Sequence, residues 1–293
     1  MNWNTIEQQI EDATSTAFKT RSYKSISGGS INDAYVISDE HRRYFVKLNT
    51  PHQEDMFAAE AQGLIELGKA NAIKTPKVIC WGADASSSYI VMEFIESGRG
   101  NAKSHRQFGK QLAEMHRFTS DQFGWCHDNT IGSTPQQNTQ THDWIKFLRE
   151  QRLGFQLDLA ASNGFGGHLQ KDGEKLLDNL DVFFTDYTPQ ASLLHGDLWS
   201  GNYSFDSDGQ PVIFDPAVYY GDHEADIAMT ELFGGFNTEF YAAYNDNHPL
   251  DEGYQSRKNL YNLYHIINHV NLFGSGYLGQ AERMISQLLT YTA

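Results

Sequence analysis

The chain has 293 residues, 40% of them hydrophobic and 20% charged, which is typical of a globular protein with one sizeable domain or two lobes. Acidic residues outnumber basic ones by 37 to 22, giving a formal net charge of −15. Because a general nucleic-acid surface and an anionic-membrane surface both need basic patches, we expect neither nucleic acid nor membrane as a partner. A ligand that carries phosphate groups stays possible, since a pocket can be locally positive or recruit a divalent metal.

The beginning of the sequence predicts an amphipathic helix. MNWNTIEQQIED is acidic and lacks the basic-then-apolar layout of a signal peptide. No run of about 18 apolar residues occurs, so no transmembrane helix is expected. The two cysteines, Cys80 and Cys126, are too few for a disulfide framework and lack metal-ligand spacing. These features together predict a soluble cytoplasmic protein.

Short β-type runs dominate the first hundred residues. Three of them precede one run with helical spacing, and two more follow it: YKSISGG, DAYVISD, RRYFVKLN, then the helical MFAAEAQGLIELGKA, then VICWGAD and SSYIVMEFIE. This order predicts a small β-rich lobe over residues 1–96. The polar segment ESGRGNAKS, residues 96–104, is the best linker candidate.

Beyond the linker the pattern turns helical and predicts a larger helical lobe over residues 97–293. HRQFGKQLAEMHRF and THDWIKFLREQRLGFQLDLA carry apolar stripes, and FGWCHDNTIGSTPQQN between them predicts a long, ordered, irregular loop. Further helices are predicted in EKLLDNLDVFF, EADIAMTELFG, EFYAAYND and SRKNLYNLYHIINHVNLFG. The expected fold class is therefore α+β with two lobes.

Two features of the first lobe point to a bound ligand. Gly28 and Gly29 in SGGSINDAY would let backbone amides approach a ligand closely, although a Gly pair alone more often marks a hairpin turn. Lys47 falls on the same face of its strand as Phe45, and an inward lysine is costly unless it is paired. Glu60, on the following helix, is the natural partner, with a solvated Lys and a solvated Glu as the alternative.

Polar residues also cluster between apolar runs in the second lobe. LLHGDLWSGNYSF contains Asp197 and, five residues later, Asn202, and Asp215 directly follows the apolar run PVIF. A general base, an amide oxygen and a second carboxylate can position a hydroxyl nucleophile and hold Mg²⁺ against a triphosphate. Because phosphoryl transfer depends chiefly on positioning and charge neutralisation, this set indicates that chemistry.

The order of these motifs resembles that of protein-kinase-like enzymes: a Gly-rich turn, a strand Lys, a helix Glu, H-x-D-x-x-x-x-N and a strand-terminal Asp. The spellings HGD and DPA are similar to those of aminoglycoside and choline phosphotransferases. More specifically, the chain resembles the fructosamine kinase (ketosamine-3-kinase) family. The matching segments are GGSIN, YFVKLN, MFAAEAQGL, NTIGSTPQ, DWIKFLREQRL, HGDLWSGN and IFDPAVYYGDHEADIAMTELFGGF. They span nearly the whole chain and imply a bilobal protein-kinase-like fold.

The resemblance implies ATP and Mg²⁺ as cofactors and a role for each motif residue. The nucleotide-binding residues would be Gly28, Gly29 and Ser30 in the Gly-rich turn, Lys47 with its partner Glu60, and the adenine-binding hinge Glu93, Phe94 and Ile95. Asp197 would be the general base, and Asn202 and Asp215 would coordinate Mg²⁺. The implied reaction is phosphorylation of a ketosamine at the sugar O3, which makes the adduct labile and returns the free amine.

Residues around these motifs are candidates for substrate contact or support. Trp199 would stack on the sugar, with a core Trp as the alternative. Asp222 and Glu224 could be exposed, could reach the substrate amine, or could cap the following helix, and capping ranks first. Asp226 resembles the helix-start Asp that caps the catalytic loop in kinase-like folds, and His195 is expected to orient that loop by hydrogen bonding.

Three other functions remain as alternatives. An aminoglycoside- or choline-type phosphotransferase would also suit the acidic cluster, whereas NTIGSTPQ and Trp199 favour a ketosamine, either a small molecule or bound to a protein. A catalytically silent protein is less consistent with a complete motif set. A metal-dependent phosphoesterase would leave Lys47 and Glu60 unexplained, and it would use His195, Asp197, Asp215, Asp222 and His223. The sequence leaves the preferred ketosamine and the oligomeric state open.

Overall fold

The computed structural model describes residues 3–26 and 32–292, so the predicted Gly28, Gly29 and Ser30 turn lies outside the described residues. The elements of the first lobe are α1 (Asn4–Thr14), β1 (Ser22–Ile26), β2 (Asp33–Ser38), β3 (Arg43–Asn49), a 3₁₀ turn (Pro51–Gln53), α2 (Glu54–Lys69), β4 (Val78–Ala83) and β5 (Ser88–Glu93). The predicted N-terminal helix and the order of three strands, a helix and two strands are both confirmed.

The five strands form one antiparallel sheet in the order β1-β2-β3-β5-β4. Side chains alternate between the two faces along β3 because the strand is pleated. Val46 and Leu48 pack in the cluster that contains Ile6 and Ile10 of α1, on one face of the sheet. Lys47, one residue out of phase, therefore lies on the opposite face, which α2 covers.

The second lobe consists mainly of helices. Its elements are α3 (Ala102–His116), β6 (Asn129–Ile131), β7 (Thr134–Gln136), α4 (Trp144–Phe147), a π-helical segment (Leu148–Gly154), α5 (Phe155–Ser162), α6 (His168–Leu177), β8 (Ser192–Leu194), β9 (Tyr203–Phe205), β10 (Pro211–Ile213), β11 (Tyr219–Gly221), α7 (His223–Leu232), α8 (Thr238–Asn247), α9 (Tyr254–Phe273) and α10 (Leu278–Leu289). Short 3₁₀ turns occur at Leu180–Phe183, Ser275–Tyr277 and Thr290–Thr292.

A single large core holds these helices together. Phe108 and Leu112 of α3, Phe240 of α8 and Ile266 of α9 are fully buried in it. Helices α3 and α8 approach so closely that a Cβ at Gly109 would lie 2.1 Å from the carbonyl oxygen of Phe240. Glycine is required there because any side chain would push the two helices apart.

Two details differ from the sequence-based expectation. The loop predicted over FGWCHDNTIGSTPQQN contains a hairpin of β6 and β7. The helix predicted over DWIKFLREQRLGFQLDLA contains a π-helical segment in its middle. No helix of the described ranges is long and apolar enough to cross a membrane.

The boundary predicted at residue 96 stays a prediction, and the two lobes also meet before it. Ile73 joins the large core of the second lobe, and the carbonyl of Lys74 accepts a hydrogen bond of 3.0 Å from the amide of Ile213 in β10. The chain between α2 and β4 therefore docks onto the second lobe, which fixes how the sheet faces the HGDLWSGN loop.

Candidate active site

Four short strands frame the HGDLWSGN segment. It leaves β8, which pairs with β11, and it enters β9, which pairs with β10. The amide of Phe214 donates to the carbonyl of Asn202 at 3.1 Å, and the amide of Ala217 donates to that of His195 at 2.8 Å. These bonds hold the segment around Asp215 directly beside the loop.

Asp226, on α7, holds the beginning of this loop. One carboxylate oxygen accepts the amide of His195 at 2.7 Å, and the other accepts the amide of Gly196 at 2.9 Å. Gly196 has a φ of 82°, and a Cβ there would lie 2.0 Å from the carbonyl oxygen of Ala217, so only glycine fits. Burial raises the pKa of Asp226, but hydrogen bonds from His116 and Gly196 outweigh it and hold the pKa below its ordinary value.

His195 ties the loop to the segment that precedes Asp215. Its Nε2 lies 2.9 Å from the carbonyl oxygen of Phe214 and must donate, since a carbonyl only accepts. Its Nδ1 is then the acceptor for the amide of Asp197 at 3.2 Å. Burial lowers the pKa of His195, which keeps the ring neutral. This geometry agrees with the expected orienting role.

Asp197 is a partly exposed carboxylate in a desolvating and negatively charged setting. Desolvation, followed by the negative charge of Asp215, raises its pKa to about 7, although a hydrogen bond from Asn202 opposes the shift. The Asn202 amide nitrogen donates to the carbonyl of Asp197 at 2.8 Å and to its carboxylate at 3.1 Å. A carboxylate with a pKa near neutrality has the properties of a general base.

Lys47 is the positive charge that joins the two lobes. Its Nζ lies 2.7 Å from Glu60 Oε1, which confirms the predicted pairing, and 2.5 Å from Asp215 Oδ1. Lys47 is 7% exposed, and burial alone would lower its pKa, but Asp215 and Glu60 together raise it well above the ordinary value. Lys47 is therefore charged, and its ammonium group contacts Asp215, two residues after the end of β10.

Asp215 adopts an unusual backbone conformation. Its φ is 57°, in the left-handed region, which Asp tolerates better than most residues but which costs about 1 kcal/mol. Its side chain is 43% exposed and contacts Lys47. Strain of this kind persists at functional sites, where the surrounding structure fixes the direction of a side chain.

Asn202 and Asp215 are suited to holding a metal together with a phosphate-bearing ligand. The Asn202 amide nitrogen lies 3.5 Å from the backbone carbonyl oxygen of Asp215, so the two residues are neighbours. Within residues 3–26 and 32–292, no group of three or more His, Cys, Asp or Glu side chains could hold a metal alone. One carboxylate and one amide oxygen are the few protein ligands that Mg²⁺ uses when phosphates and waters supply the rest.

The predicted hinge follows β5, the strand that pairs with the Lys47 strand β3. The amide of Glu93 donates to the carbonyl of Lys77 at 2.8 Å. The next two residues, Phe94 and Ile95, make no backbone hydrogen bond to any other residue that the structure describes. Their amides and carbonyls are therefore available to a planar ligand with donors and acceptors on one edge, such as adenine.

The structure corrects the prediction that Asp222 and Glu224 contact substrate. Asp222 is fully buried, caps α7 by accepting the amide of Glu224 at 3.0 Å, and accepts hydroxyls from Tyr187 and Tyr261. Glu224 is also fully buried and accepts two hydrogen bonds from Arg257, at 2.7 and 3.1 Å. Capping, which ranked first for these acids, is what the geometry shows for Asp222.

The residues of the alternative phosphoesterase site are not brought together. His223, 6% exposed, hydrogen-bonds Tyr244 through Nδ1 at 2.8 Å, and Asp222 faces Tyr187 and Tyr261.

Trp199 is not a core residue, which was the alternative to a sugar-stacking role, because its side chain is 38% exposed on the catalytic loop. Its ring lies over Gly201, where a Cβ would come within 2.4 Å of the indole.

A buried polar network behind the site was not predicted. Gln136 and Asn129 donate to the backbone carbonyls of Ala217 and Val218, at 3.0 and 2.8 Å. Gln136 in turn accepts the Tyr264 hydroxyl at 2.7 Å. The β6–β7 hairpin thus fixes the chain that follows Asp215. Several amide side chains close together in NTIGSTPQQN were the available signal, since buried amides need specific partners.

The chain is similar over nearly its whole length to proteins of one known family. A family model described as fructosamine kinase matches residues 2–291. A protein of Synechocystis sp. named "Probable ketoamine kinase" is 48% identical over 288 residues, 98% of this chain and 97% of the relative. A chloroplastic protein-ribulosamine 3-kinase of Oryza sativa subsp. indica is 44% identical over 278 residues, 93% of this chain and 80% of the relative.

Solved structures show the same fold. A Haemophilus somnus 129PT crystal structure described as a candidate fructosamine-3-kinase has a TM-score of 0.89 and 31% identity, covering 98% of this chain and 97% of that one. A thermostable mutant of an aminoglycoside phosphotransferase has a TM-score of 0.63 and 15% identity, covering 98% and 99%. The second likeness concerns the fold alone, and it confirms the bilobal protein-kinase-like class.

Proposed function

Because the chain belongs to the fructosamine kinase family, we propose that it transfers the γ-phosphate of ATP to the O3 hydroxyl of a ketosamine. The phosphorylated adduct is labile and releases the free amine, so the enzyme reverses glycation. One observation carries the proposal: Lys47, paired with Glu60, meets Asp215 beside the loop that presents Asp197 and Asn202. In this proposal a nucleotide phosphate would bind beside Lys47 and Asp215, and the hydroxyl acceptor would bind beside Asp197.

Each residue of the junction has a task in this reaction. Lys47 would exchange its contact with Asp215 for the ATP phosphates while Glu60 keeps it in place. Asp197, whose pKa is about 7, would accept the proton of the sugar hydroxyl as O3 attacks phosphorus. Phe94 and Ile95 would hydrogen-bond adenine through their free backbone groups, with Glu93 at the end of β5. Asn202 and Asp215 would hold Mg²⁺, which neutralises charge on the transferred phosphoryl group.

Trp199 supports the choice of a sugar acceptor. Its indole is exposed on the catalytic loop, two residues after the proposed base, where it offers an apolar face to a sugar ring. Named relatives at 44 to 48% identity include a ketoamine kinase and a ribulosamine 3-kinase. The aminoglycoside alternative rests on a fold likeness at 15% identity, so the ketosamine is favoured.

The decisive experiment measures ATP consumption with Mg²⁺ across fructosyl-, ribulosyl- and erythrulosyl-amines, aminoglycosides and choline. We expect turnover on one or more ketosamines, a phosphate at O3 by ³¹P and ¹³C NMR, and loss of turnover in Asp197→Asn. Brisk turnover on choline or an aminoglycoside, with none on any ketosamine, would overturn the proposal. Full activity of Asp197→Asn would overturn the assignment of the base.

A further inference from the structure

An uninterrupted row of aromatic rings leads away from the catalytic loop. The ring centroid of Trp199 lies 6.4 Å from that of Phe233, which lies 5.1 Å from that of His269. His269 is in turn 5.3 Å from Phe273 and 4.9 Å from Tyr277. We call Phe233, His269, Phe273 and Tyr277 the aromatic strip. It extends from the Trp199 ring, which it meets edge to face, to the 3₁₀ turn that follows α9.

The aromatic strip is partly exposed to solvent, and its exposure is greatest at Phe273. Phe273 is 61% exposed, while Phe233, His269 and Tyr277 are half-buried. A contiguous, partly exposed aromatic surface beside a catalytic loop is unfavourable in water and typically marks a site where a ligand binds. The strip is continuous with Trp199, the proposed sugar platform, so the same ligand can extend onto it.

His269 adds one directed polar atom to this surface. Its Nδ1 lies 2.7 Å from the carbonyl oxygen of His265 and must donate to it. Burial lowers the pKa of His269, so the ring is neutral near pH 7 and its Nε2 is an acceptor. That nitrogen makes no hydrogen bond to any residue within the described ranges. It is available to an N–H or O–H group of a bound molecule.

We infer that the aromatic strip binds the amine-bearing part of the acceptor, with the protonated secondary amine over Phe233 and His269 and the attached carbon chain along Phe273 and Tyr277. This inference rests on the proposed function and extends it. Four bonds separate the amine nitrogen of a ketosamine from O3, a reach of about 5 Å at standard bond lengths. An amine on a sugar that stacks on Trp199 therefore reaches Phe233, the next ring of the row.

Asp222 and Glu224 are buried and cannot pair with the substrate amine, so the amine needs another partner. A ketosamine nitrogen is a cationic secondary ammonium at neutral pH and needs a partner in the site. Ring faces attract alkylated ammonium groups through their quadrupole, and the attraction grows when the group is desolvated. The acceptor nitrogen of His269 can accept a hydrogen bond from one N–H of the ammonium group. The open end at Phe273 lets a lysine side chain continue out to solvent.

The first test measures KM for a ketosamine of N-α-acetyl-lysine in three variants. We expect Phe273→Ala and Phe233→Leu each to raise this KM about 3- to 10-fold, at unchanged KM for ATP. Phe273→Ala removes apolar packing against the carbon chain, and Phe233→Leu removes the ring that contacts the ammonium group. Tyr291→Ala is the matched control, because Tyr291 is 56% exposed and packs against Phe183 instead. Its KM values should equal those of the wild type.

The second test separates charge from packing. Phe233→Leu keeps apolar volume but removes the ring over which the amine is proposed to lie, so we expect it to raise KM for a cationic secondary amine more than for the uncharged N-acetylated analogue. Equal effects on the two substrates would leave only packing and overturn the recognition of the ammonium. Wild-type KM values in both Phe273→Ala and Phe233→Leu would overturn the aromatic strip as a subsite.

Failure of this inference is distinguishable from failure of the proposed function. If the wild type phosphorylates ketosamines and the strip variants behave like it, the reaction stands and the subsite is wrong. If the wild type phosphorylates no ketosamine, the proposed function fails, and the subsite fails with it. Circular dichroism and thermal melts of each variant show whether it is folded. Phe273, at 61% exposure, is the position where truncation disturbs packing least.

Discussion

Lys47, in the sheet of the first lobe, lies 2.5 Å from Asp215, which follows a strand of the second lobe. The two lobes are therefore joined by an ion pair at the point where the phosphates of ATP are proposed to bind. Glu60 takes the other side of the same ammonium at 2.7 Å, and burial raises the pKa of this carboxyl. Removing one member of such a trio leaves another charge buried without a partner.

Lys47→Met should lower the free energy of unfolding by about 3 kcal/mol, because Glu60 is left buried without its cation. The double variant Lys47→Met/Glu60→Met should recover most of this loss, since an apolar pair replaces the ion pair. Urea unfolding at constant m-value measures both changes. Neither variant should turn over ATP. If Lys47→Met were as stable as the wild type, the Lys47–Glu60 ion pair would not contribute to the free energy of unfolding.

The sheet lobe and the identity of the motif residues could be predicted from the sequence because local patterns encode them. Alternation along RYFVKLN places Lys47 and Val46 on opposite faces of the sheet, and the structure confirms this arrangement. Glu60 follows from the next helix in the chain. Asp197 and Asn202 lie within one short loop, so their proximity needs no long-range information.

What the sequence could not show depends on contacts between distant segments. Asp222 and Glu224 resemble an exposed acidic cluster until Tyr261 and Arg257, on a later helix, are packed against them. The aromatic strip likewise joins Phe233, which directly follows α7, to residues of α9 and of the turn after it, and no local pattern connects them. The π-helical segment around Arg152 has no distinctive spacing either, and Arg152 is buried against the ring of Tyr219, 4.1 Å away.

Asp197→Asn should lower kcat about 10³-fold or more and yet raise the melting temperature at alkaline pH. The pKa of Asp197 is raised from 3.8 to about 7, so the folded state binds this proton more tightly than the unfolded chain. The carboxylate therefore destabilises the fold progressively as pH rises through that window. We expect a variant about 2–4 °C more stable than the wild type at pH 8, and a difference near zero at pH 4. An equal difference at both pH values would contradict this account.

The pH dependence of catalysis should report the same group. Because a general base must be ionised, kcat/KM should rise with pH and level off above about pH 7, the pKa of Asp197 in the free enzyme. The charge of Asp215 is the second cause of that shift, after desolvation. In Asp215→Asn the pKa of Asp197 should therefore fall, which ¹³C NMR titration of the carboxyl measures without turnover. An unchanged pKa in this variant would remove Asp215 as a cause.

Asp226 and Asp222 form a matched pair for separating support of the catalytic loop from support of the fold. Both are buried acids at the start of α7, and both accept backbone amides. Asp226 holds the amides of His195 and Gly196, two residues of the loop that carries Asp197. Asp222 instead caps its own helix and receives hydroxyls from Tyr187 and Tyr261.

Asp226→Asn replaces one acceptor oxygen by an NH₂ group that faces an amide donor, so it should weaken the loop and lower kcat about 30-fold or more while KM for ATP stays unchanged. Asp222→Asn should destabilise the protein to a similar degree, because it disturbs an equally buried carboxylate, yet leave kcat within about 2-fold of the wild type. Both are measured well below their melting temperatures. A selective rise in ketosamine KM for Asp222→Asn would return this residue to the substrate site, since burial alone cannot produce that selectivity.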